Sequence, residues 1–393
     1  MSTARNSSEI ALIDAVRTPH GTFLGPLADH SSVDLGTIAL EGLFERTDVD
    51  PDLVDWVGLG HALGAGVGQV PARQVVLNAG LPPSTPATTI NEASGSGLRA
   101  ITLGVDRLLA GRREFAIAGG MESMSNAPFL VHGMRQGRRY GDTTLVDSMI
   151  YDSLWDVTED AHMGELTEAL VERVDISREA QDEYALQSHQ RAVAAIERGS
   201  FENELVPVDI DDTVLDEDDG PRADTTLDGL AKLSPAFESD GTITAGNASD
   251  LSDGAGVVLL GSEAATFDAG FDPLAWVVDY HVSYRDPKWF GMAVGDAVQG
   301  LLRANDLSVD DVDSFELNEA FAAQMVYVRE RCGIPAEKLN PNGGAIALGH
   351  PIGASGGMLT TSLVHRMVDR SATYGVVGMS IGGGGGIAML LRR

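Results

Sequence analysis

The sequence is short of three things: cysteine, lysine and long apolar runs. Its single cysteine, Cys332, excludes an internal disulfide and any multi-cysteine zinc site, so no metal centre is expected. A membrane-spanning helix needs about 20 consecutive apolar residues, and no run reaches that length. The polar opening from Met1 to Glu9 also lacks the apolar core of a signal peptide. The expected location is therefore the cytoplasm, with no membrane partner. Of 27 basic residues only Lys232, Lys288 and Lys338 are lysines, set against 58 carboxylates and a formal net charge of −31. Such a surface repels itself in dilute buffer and is screened by concentrated salt, which predicts a salt-rich, haloarchaeal host. Nucleic acid is a poor partner for so acidic a chain.

A lone intracellular thiol is a candidate nucleophile. Here Arg331-Cys332-Gly333-Ile334-Pro335 reads as a helix C-terminus, so Cys332 is expected to pack and not to react. What the sequence has in plenty is glycine, 46 residues spread through ordered-looking segments, which points to tight turns and close backbone approaches. At 393 residues the chain has room for two or three domains.

Apolar periodicity predicts strands alternating with helices: strand Glu9 to Asp14, helix Val33 to Glu45, strand Asp55 to Leu59, helix Pro71 to Ala79, strand Pro86 to Ile90, helix Leu98 to Ala110 and strand Arg113 to Ala118. Such alternation implies a mostly parallel sheet covered on both faces. From 121 to 245 the pattern becomes irregular and more charged, as in an inserted domain. It holds a helix from Arg178 to Arg198 with a capping Ser177, and an acidic stretch, Asp209 to Asp219, expected to be a solvated loop. Strands return over 246–270. A second α/β run over 271–393 then repeats the order of the first, 1–120. Each half sends a strand into a Ser-Gly turn, Ser94 in one and Ser380 in the other, which suggests two copies of one unit.

Three glycine-rich turns carry candidate chemistry. Ser94, in Asn91-Glu92-Ala93-Ser94-Gly95-Ser96-Gly97, follows a strand and opens a helix, where its hydroxyl can accept an acyl group and backbone N–H groups can hold the oxyanion. The same position also suits an ordinary N-cap serine. His350, in a loop that ends at a helix N-terminus, is the base such a serine needs, or else belongs to a packed turn. Gly382 lies in a turn with no side chain to block an approach. Gly378-Met379-Ser380-Ile381-Gly382 spells a hydrolase nucleophile elbow, but no acid or histidine follows it, so that reading fails on chain order. Gly382 to Gly386 leads into a strand and not a helix, so it is no dinucleotide site.

Taken together, the blocks Arg17 to Gly25, Gly68 to Arg73, Asn91 to Leu98, Gly119 to Ser125, Thr244 to Ser249, Asn318 to Ala322, Asn340 to Gly344 and Gly349 to Gly356 resemble the thiolase family over nearly the whole chain. The resemblance implies a thiolase-like α/β fold: two similar halves layered α-β-α-β-α, with an inserted loop domain that grips coenzyme A. It implies an acetyl-CoA acetyltransferase, or short-chain 3-ketoacyl-CoA thiolase, working through acyl-Ser94. The partners implied are acetyl-CoA, acetoacetyl-CoA and CoA, used as substrates, with no permanently bound cofactor. By likeness Ser94 matches the nucleophile, His350 the base and oxyanion donor, Asn318 the holder of a water in that hole, and Gly382 an N–H donor to the other hole. Ala245, Gly246 and Ser249 fall where the family meets pantetheine, and His162, Met163, Phe237 and Phe321 match the tunnel and acyl pocket. Arg135, Arg138 and Arg139 lie in a segment resembling the tetramerisation loop. A homodimer or homotetramer is implied, and a small accessory subunit is a further possibility among archaeal relatives.

Two departures stand out. Thiolases carry cysteine where this chain has Ser94 and Ser380, and a serine at 380 is a poor acceptor for a proton from carbon. Phe290 to Val294 and Glu165 to Glu168 also depart from the family pattern, which alters the expected shape of the acyl pocket. The alternative reading is a thiolase-like protein that binds CoA esters, or acts as a scaffold for a partner enzyme, without catalysis.

Overall fold

The computed structural model describes residues 9–393; the opening segment considered for a signal peptide lies, up to residue 8, outside the described residues. Nine strands form one continuous sheet: β1 Ile10–Arg17, β2 Trp56–Gly60, β3 Ala87–Ile90, β4 Phe115–Ser123, β5 Ser252–Ser262, β6 Ala275–Tyr284, β7 Ser314–Leu317, β8 Tyr374–Ile381 and β9 Gly385–Arg392. Their order is β7-β8-β9-β6-β1-β5-β4-β2-β3, and Gly21–Thr22 adds a short strand on β5. The principal helices are α1 Ser32–Thr47, α2 Pro71–Asn78, α3 Ser96–Leu109, α4 Met163–Val174, α5 Arg178–Glu197, α6 Phe290–Ala304, α7 Ala322–Cys332 and α8 Ser355–Arg370. No helix among the described residues is long and apolar enough to cross a membrane.

Alternation along the strands divides the apolar residues among three cores. In β1, Ala11 and Ile13 join one core with α1 and α2, while Ile10 and Leu12 join a second with α3 and α8. A bulge between Leu12 and Asp14 then moves Ala15 to the second core. A third core packs α6 and α7 on the far face of β7, β8 and β9. Helices α3 and α8 pack between the two halves of the sheet, with α1 and α2 outside one half and α6 and α7 outside the other, which makes the layered α-β-α-β-α arrangement.

The sheet is not mostly parallel. Among the described residues only β2–β3, β2–β4 and β7–β8 pair in parallel. The expectation failed because β5 returns from a long excursion and inserts antiparallel between β1 and β4, while β9 folds straight back on β8. Neither strand arrives through a crossover helix, so the βαβ rule does not apply.

Glycine decides how closely the layers approach. β4 does not stop at Gly119 but runs through it, because a Cβ on Gly120 would lie 2.0 Å from the Gly353 carbonyl oxygen. Likewise a Cβ on Gly356 would lie 2.0 Å from the Leu98 nitrogen, so α3 and α8 begin with their backbones in contact.

The strand order corrects the pairing of the two serines. Ser380 is inside β8, the third strand in from one end of the second half's chain order, whereas Ser94 lies in the turn between β3 and α3. The topological counterpart of Ser94's turn is the loop leading into α8, which carries His350. In that half the edge strand is reduced to a single parallel bridge between Phe315 and Leu339.

The acidic stretch is only partly a solvated loop. Val208–Ile210 and Thr213–Leu215 make a hairpin, but Asp218 is buried and forms a bidentate pair with Arg17 at 2.7 and 2.9 Å. Arg17 is 0% exposed, and its Nε donates to Glu204 at 2.6 Å. Burial would lower the guanidinium's pKa, but Asp218 and Glu204 override it and hold the group charged. Cys332 ends α7 before Gly333 in the left-handed conformation, and burial pushes its thiol up to about 11, consistent with packing.

Glu316 on β7 is 3% exposed, and burial pushes its carboxyl up to about 8, with Arg366 opposing and Glu204 and Glu319 reinforcing. A folded pKa above the unfolded one contributes stability that is full below the unfolded value and lost as pH rises toward about 8. Glu316→Gln should therefore gain in melting temperature over the parent as pH rises from 5 to about 8, then level off; melts across pH check this.

Candidate active site

Ser94 is presented by a strained turn. Ala93 has φ 46°, a left-handed conformation that costs an L residue about 1–2 kcal/mol, and Asn91 Oδ1 accepts its N–H at 3.1 Å. Ser96 does the local capping work: its Oγ donates to the Ala93 carbonyl at 2.6 Å and accepts from Glu92 N at 2.8 Å. The N-cap of α3 is Gly95. Ser94 is thereby free of the capping duty its position suggested, and its Oγ lies 2.9 Å from His350 Nε2.

His350 is fixed from behind. Its backbone N–H donates to the Asp250 carbonyl at 3.0 Å, and its Nδ1 lies 2.6 Å from Ser355 Oγ. The Ser355 proton is directed to the Pro351 carbonyl at 3.0 Å. Ser355 therefore accepts from Nδ1–H, which leaves Nε2 unprotonated, its lone pair shared between the Ser94 hydroxyl and the Asn318 amide. Burial, aided by His20, lowers the His350 pKa to about 4, so the neutral ring is the populated form at ordinary pH. Asn318 Nδ2 reaches the same Nε2 at 3.2 Å. Ser355→Ala should release the ring and lower kcat about 10- to 100-fold, part of the 10²–10⁴ that a positioned base contributes, with KM little changed; steady-state kinetics of the variant check it.

These groups open onto a cavity of about 300 Å³, within the size range of small-molecule sites. Ser94, His350, Ser380 and Gly382 all line it, as do His162, Met163, Phe237, Ser249 and Phe321. A Cβ on Gly382 would lie 3.7 Å from Ala93 Cβ, which puts its turn against the turn that holds Ser94. Ser380 Oγ accepts from Gln324 Nε2 at 2.7 Å. The His162 ring stacks on Phe237 at 4.7 Å, and Phe237 meets Phe321 edge-on at 6.2 Å.

Some expected site residues lie elsewhere. Ala245 is exposed and Gly246 is buried beneath Leu230 and Leu233, and neither lines the cavity. Arg135, Arg138 and Arg139 are exposed, without ion-pair partners among the described residues. Conversely, Met149, Ile150, Ser153 and Leu154 form a wall that sequence reasoning missed, because Ile150–Leu154 is a single π-type turn with no periodic signal. Phe290 also lines the cavity. It opens α6, in the stretch Phe290 to Val294 that departs from the family pattern.

A serine and an imidazole thus meet on the wall of a largely apolar cavity, contributed by the two halves of a layered α/β fold. The chain belongs to the thiolase family: the family model described as "Thiolase, N-terminal domain" matches residues 10–264, and "Thiolase, C-terminal domain" matches residues 271–393. Among its relatives are the acetyl-CoA acetyltransferase of Pseudomonas aeruginosa, 45% identical and covering 98% of this chain and 99% of that one, and that of Chromobacterium violaceum, 45% identical over 98% and 100%. Among solved structures, the Bacillus anthracis acetyl-CoA acetyltransferase superposes with a TM-score of 0.95 at 38% identity, covering 98% of each chain. The human mitochondrial 3-ketoacyl-CoA thiolase gives 0.96 at 40% identity, covering 98% of this chain and 99% of its own.

Proposed function

We propose that this chain is an acetyl-CoA acetyltransferase that condenses two acetyl-CoA to acetoacetyl-CoA, or runs the reverse thiolysis, through acyl-Ser94. The observation that carries the reading is the 2.9 Å contact between Ser94 Oγ and the unprotonated Nε2 of His350. In the first half-reaction the hydroxyl proton passes to Nε2 as Oγ attacks the thioester carbon, and the N–H groups of Ser94 and Gly382 hold the oxyanion. As the C–S bond breaks, the CoA sulfur takes that proton from Nε2 and leaves as the thiol. In the second, the enolate of another acetyl-CoA, its oxygen held by the now protonated His350 and by a water that Asn318 fixes, attacks the acyl-Ser94 carbonyl and frees Ser94.

His162, Met163, Phe237, Phe290 and Phe321 set the acyl and tunnel walls, which suit a short acyl chain in a cavity of about 300 Å³. Ser249 touches the pantetheine arm, with Ala245 and Gly246 further out along it. The segment 121–245 is the CoA-facing insert within the N-terminal half, whose strands resume over 246–270. The enzyme works in a salt-rich cytoplasm as a homo-oligomer, with CoA thioesters as substrates only. Acetyl-CoA turnover to acetoacetyl-CoA, assayed from low to molar salt, tests the reading. Activity that rises with salt supports it, and tight CoA-ester binding with no turnover at any salt, even with cell extract added, supports the scaffold alternative.

A further inference from the structure

Condensation needs a proton removed from carbon, and the usual thiolate is missing at Ser380. A lone pair able to take it has to lie on the cavity wall. The cavity's walls hold two titratable side chains among the described residues, His162 and His350.

The lone pair of His162 is aimed at the backbone of its own helix and not at the cavity. Its Nδ1 accepts the Gly164 N–H at 3.0 Å, as the N-cap of α4, so in the neutral ring the proton sits on Nε2. Burial lowers its pKa, which keeps the ring in that neutral form. Ser380 is no better placed. Its partner is the amide of Gln324, and no carboxylate or imidazole touches its hydroxyl to make an alkoxide. Since one lone pair of its Oγ already accepts from Gln324 Nε2, its proton is free to point into the cavity. The remaining hydroxyls, Ser153 and Ser249, are not bases at neutral pH. That leaves His350 Nε2, the lone pair that the Nδ1–Ser355–Pro351 chain aims at the cavity.

We propose that His350 is the sole base of this site, serving first the Ser94 hydroxyl and then the acetyl carbon, while Ser380 acts as a hydrogen-bond donor oriented by Gln324. The proposal rests on the acyl-Ser94 reading. The steps balance without any outside reagent. Nε2 takes the Ser94 proton as the O–C bond forms, and returns it to sulfur as the C–S bond breaks and CoA leaves as a thiol. Acylation removes the Ser94 donor from Nε2 and leaves only the longer 3.2 Å contact from Asn318 Nδ2. Nε2 then takes a proton from the methyl carbon of the second acetyl-CoA. The enolate carbon bonds to the acyl carbon, the bond to Ser94 oxygen breaks, and that oxygen recovers its proton from Nε2. The products are acetoacetyl-CoA and the starting enzyme.

The test is deuterium wash-in to the acetyl methyl of acetyl-CoA in D₂O at molar salt, read by mass spectrometry beside acetylation of Ser94. Ser380→Ala should acylate Ser94 and still exchange, slowed by no more than about tenfold, the size of one lost hydrogen bond. His350→Gln should lose both signals. Ser380→Cys, which adds a group with an ordinary pKa of about 8.5, should exchange at least about tenfold faster than the parent. Acylation at the parent rate with exchange abolished in Ser380→Ala would overturn the proposal. Should Ser380→Ala fail to acylate as well, Ser380→Cys decides: faster exchange supports a single imidazole base in the parent, and unchanged or slower exchange contradicts it. Absence of any acetyl group on Ser94 in the parent would instead overturn the acyl-transfer reading itself.

Discussion

Ser94→Ala should lose turnover by about 10⁴-fold or more, the scale on which removal of a covalent nucleophile collapses catalysis. The loss should come without a change of fold. Ser94 is not the cap of α3, and its side chain's hydrogen bond is the one to His350, so deleting Oγ removes no support from the turn, which Asn91 and Ser96 hold. The melting temperature should stay within a few degrees of the parent, and binding of CoA thioesters should persist, since the tunnel walls are untouched. Initial rates beside a thermal melt and a binding isotherm check all three. A variant that melts normally, binds acetyl-CoA and still turns over at more than about a hundredth of the parent rate would remove Ser94 from the chemistry.

The second large effect is on stability. Arg17→Met should cost about 3–5 kcal/mol, because it strands two buried carboxylates without their cation. Arg17 joins the end of β1 to Glu204 and Asp218 of the excursion, and its guanidinium lies over Phe201 at 5.0 Å. His20 donates its backbone N–H to Asp218 at 2.8 Å, and its ring is one of the groups that lower the His350 pKa. The cluster thus connects the folding of the excursion to the electrostatics of His350. Its pH signature has a definite sign. Burial alone would raise the Asp218 carboxyl, but Arg17 and His20 override it and hold the group well below the usual carboxylate range. The parent therefore keeps this contribution above the unfolded carboxylate pKa and loses it only as pH falls through the depressed folded value. Without Arg17, burial wins and the carboxyl is raised, so the variant should weaken further as pH rises. Urea midpoints at pH 5 and pH 8 check both the size and the reversal.

Much of the fold was legible in the sequence because its elements are long and strongly periodic. α1, α3 and α5 fall within a few residues of their expected spans, and Ser177 caps α5 by accepting from Ala180 N. The sheet's direction was not legible, since nothing local to Ser252–Ser262 says that it slides between two strands formed more than a hundred residues earlier. Asp218 was misread for a related reason. A run of carboxylates looks solvated until a distant arginine claims one of them.

At the site, the serine and histidine were legible as glycine-loop residues, and their meeting was not, since their 2.9 Å contact joins residues 256 apart in the chain. The tautomer that makes the contact useful depends on Ser355, five residues beyond the histidine in a loop whose path the sequence does not disclose. Phe290 was flagged only as an oddity. Its place on the cavity wall follows from its position at the start of α6, where Phe290 is buried against the core formed with Met163 and Phe321.

The most direct measurement is peptide mass spectrometry of the protein after brief incubation with acetyl-CoA at molar salt. The account predicts an acetyl group on the peptide carrying Ser94, formed before acetoacetyl-CoA appears and absent in Ser94→Ala. Steady production of acetoacetyl-CoA with Ser94 never modified, or an acetyl group carried by another residue in its place, would contradict it.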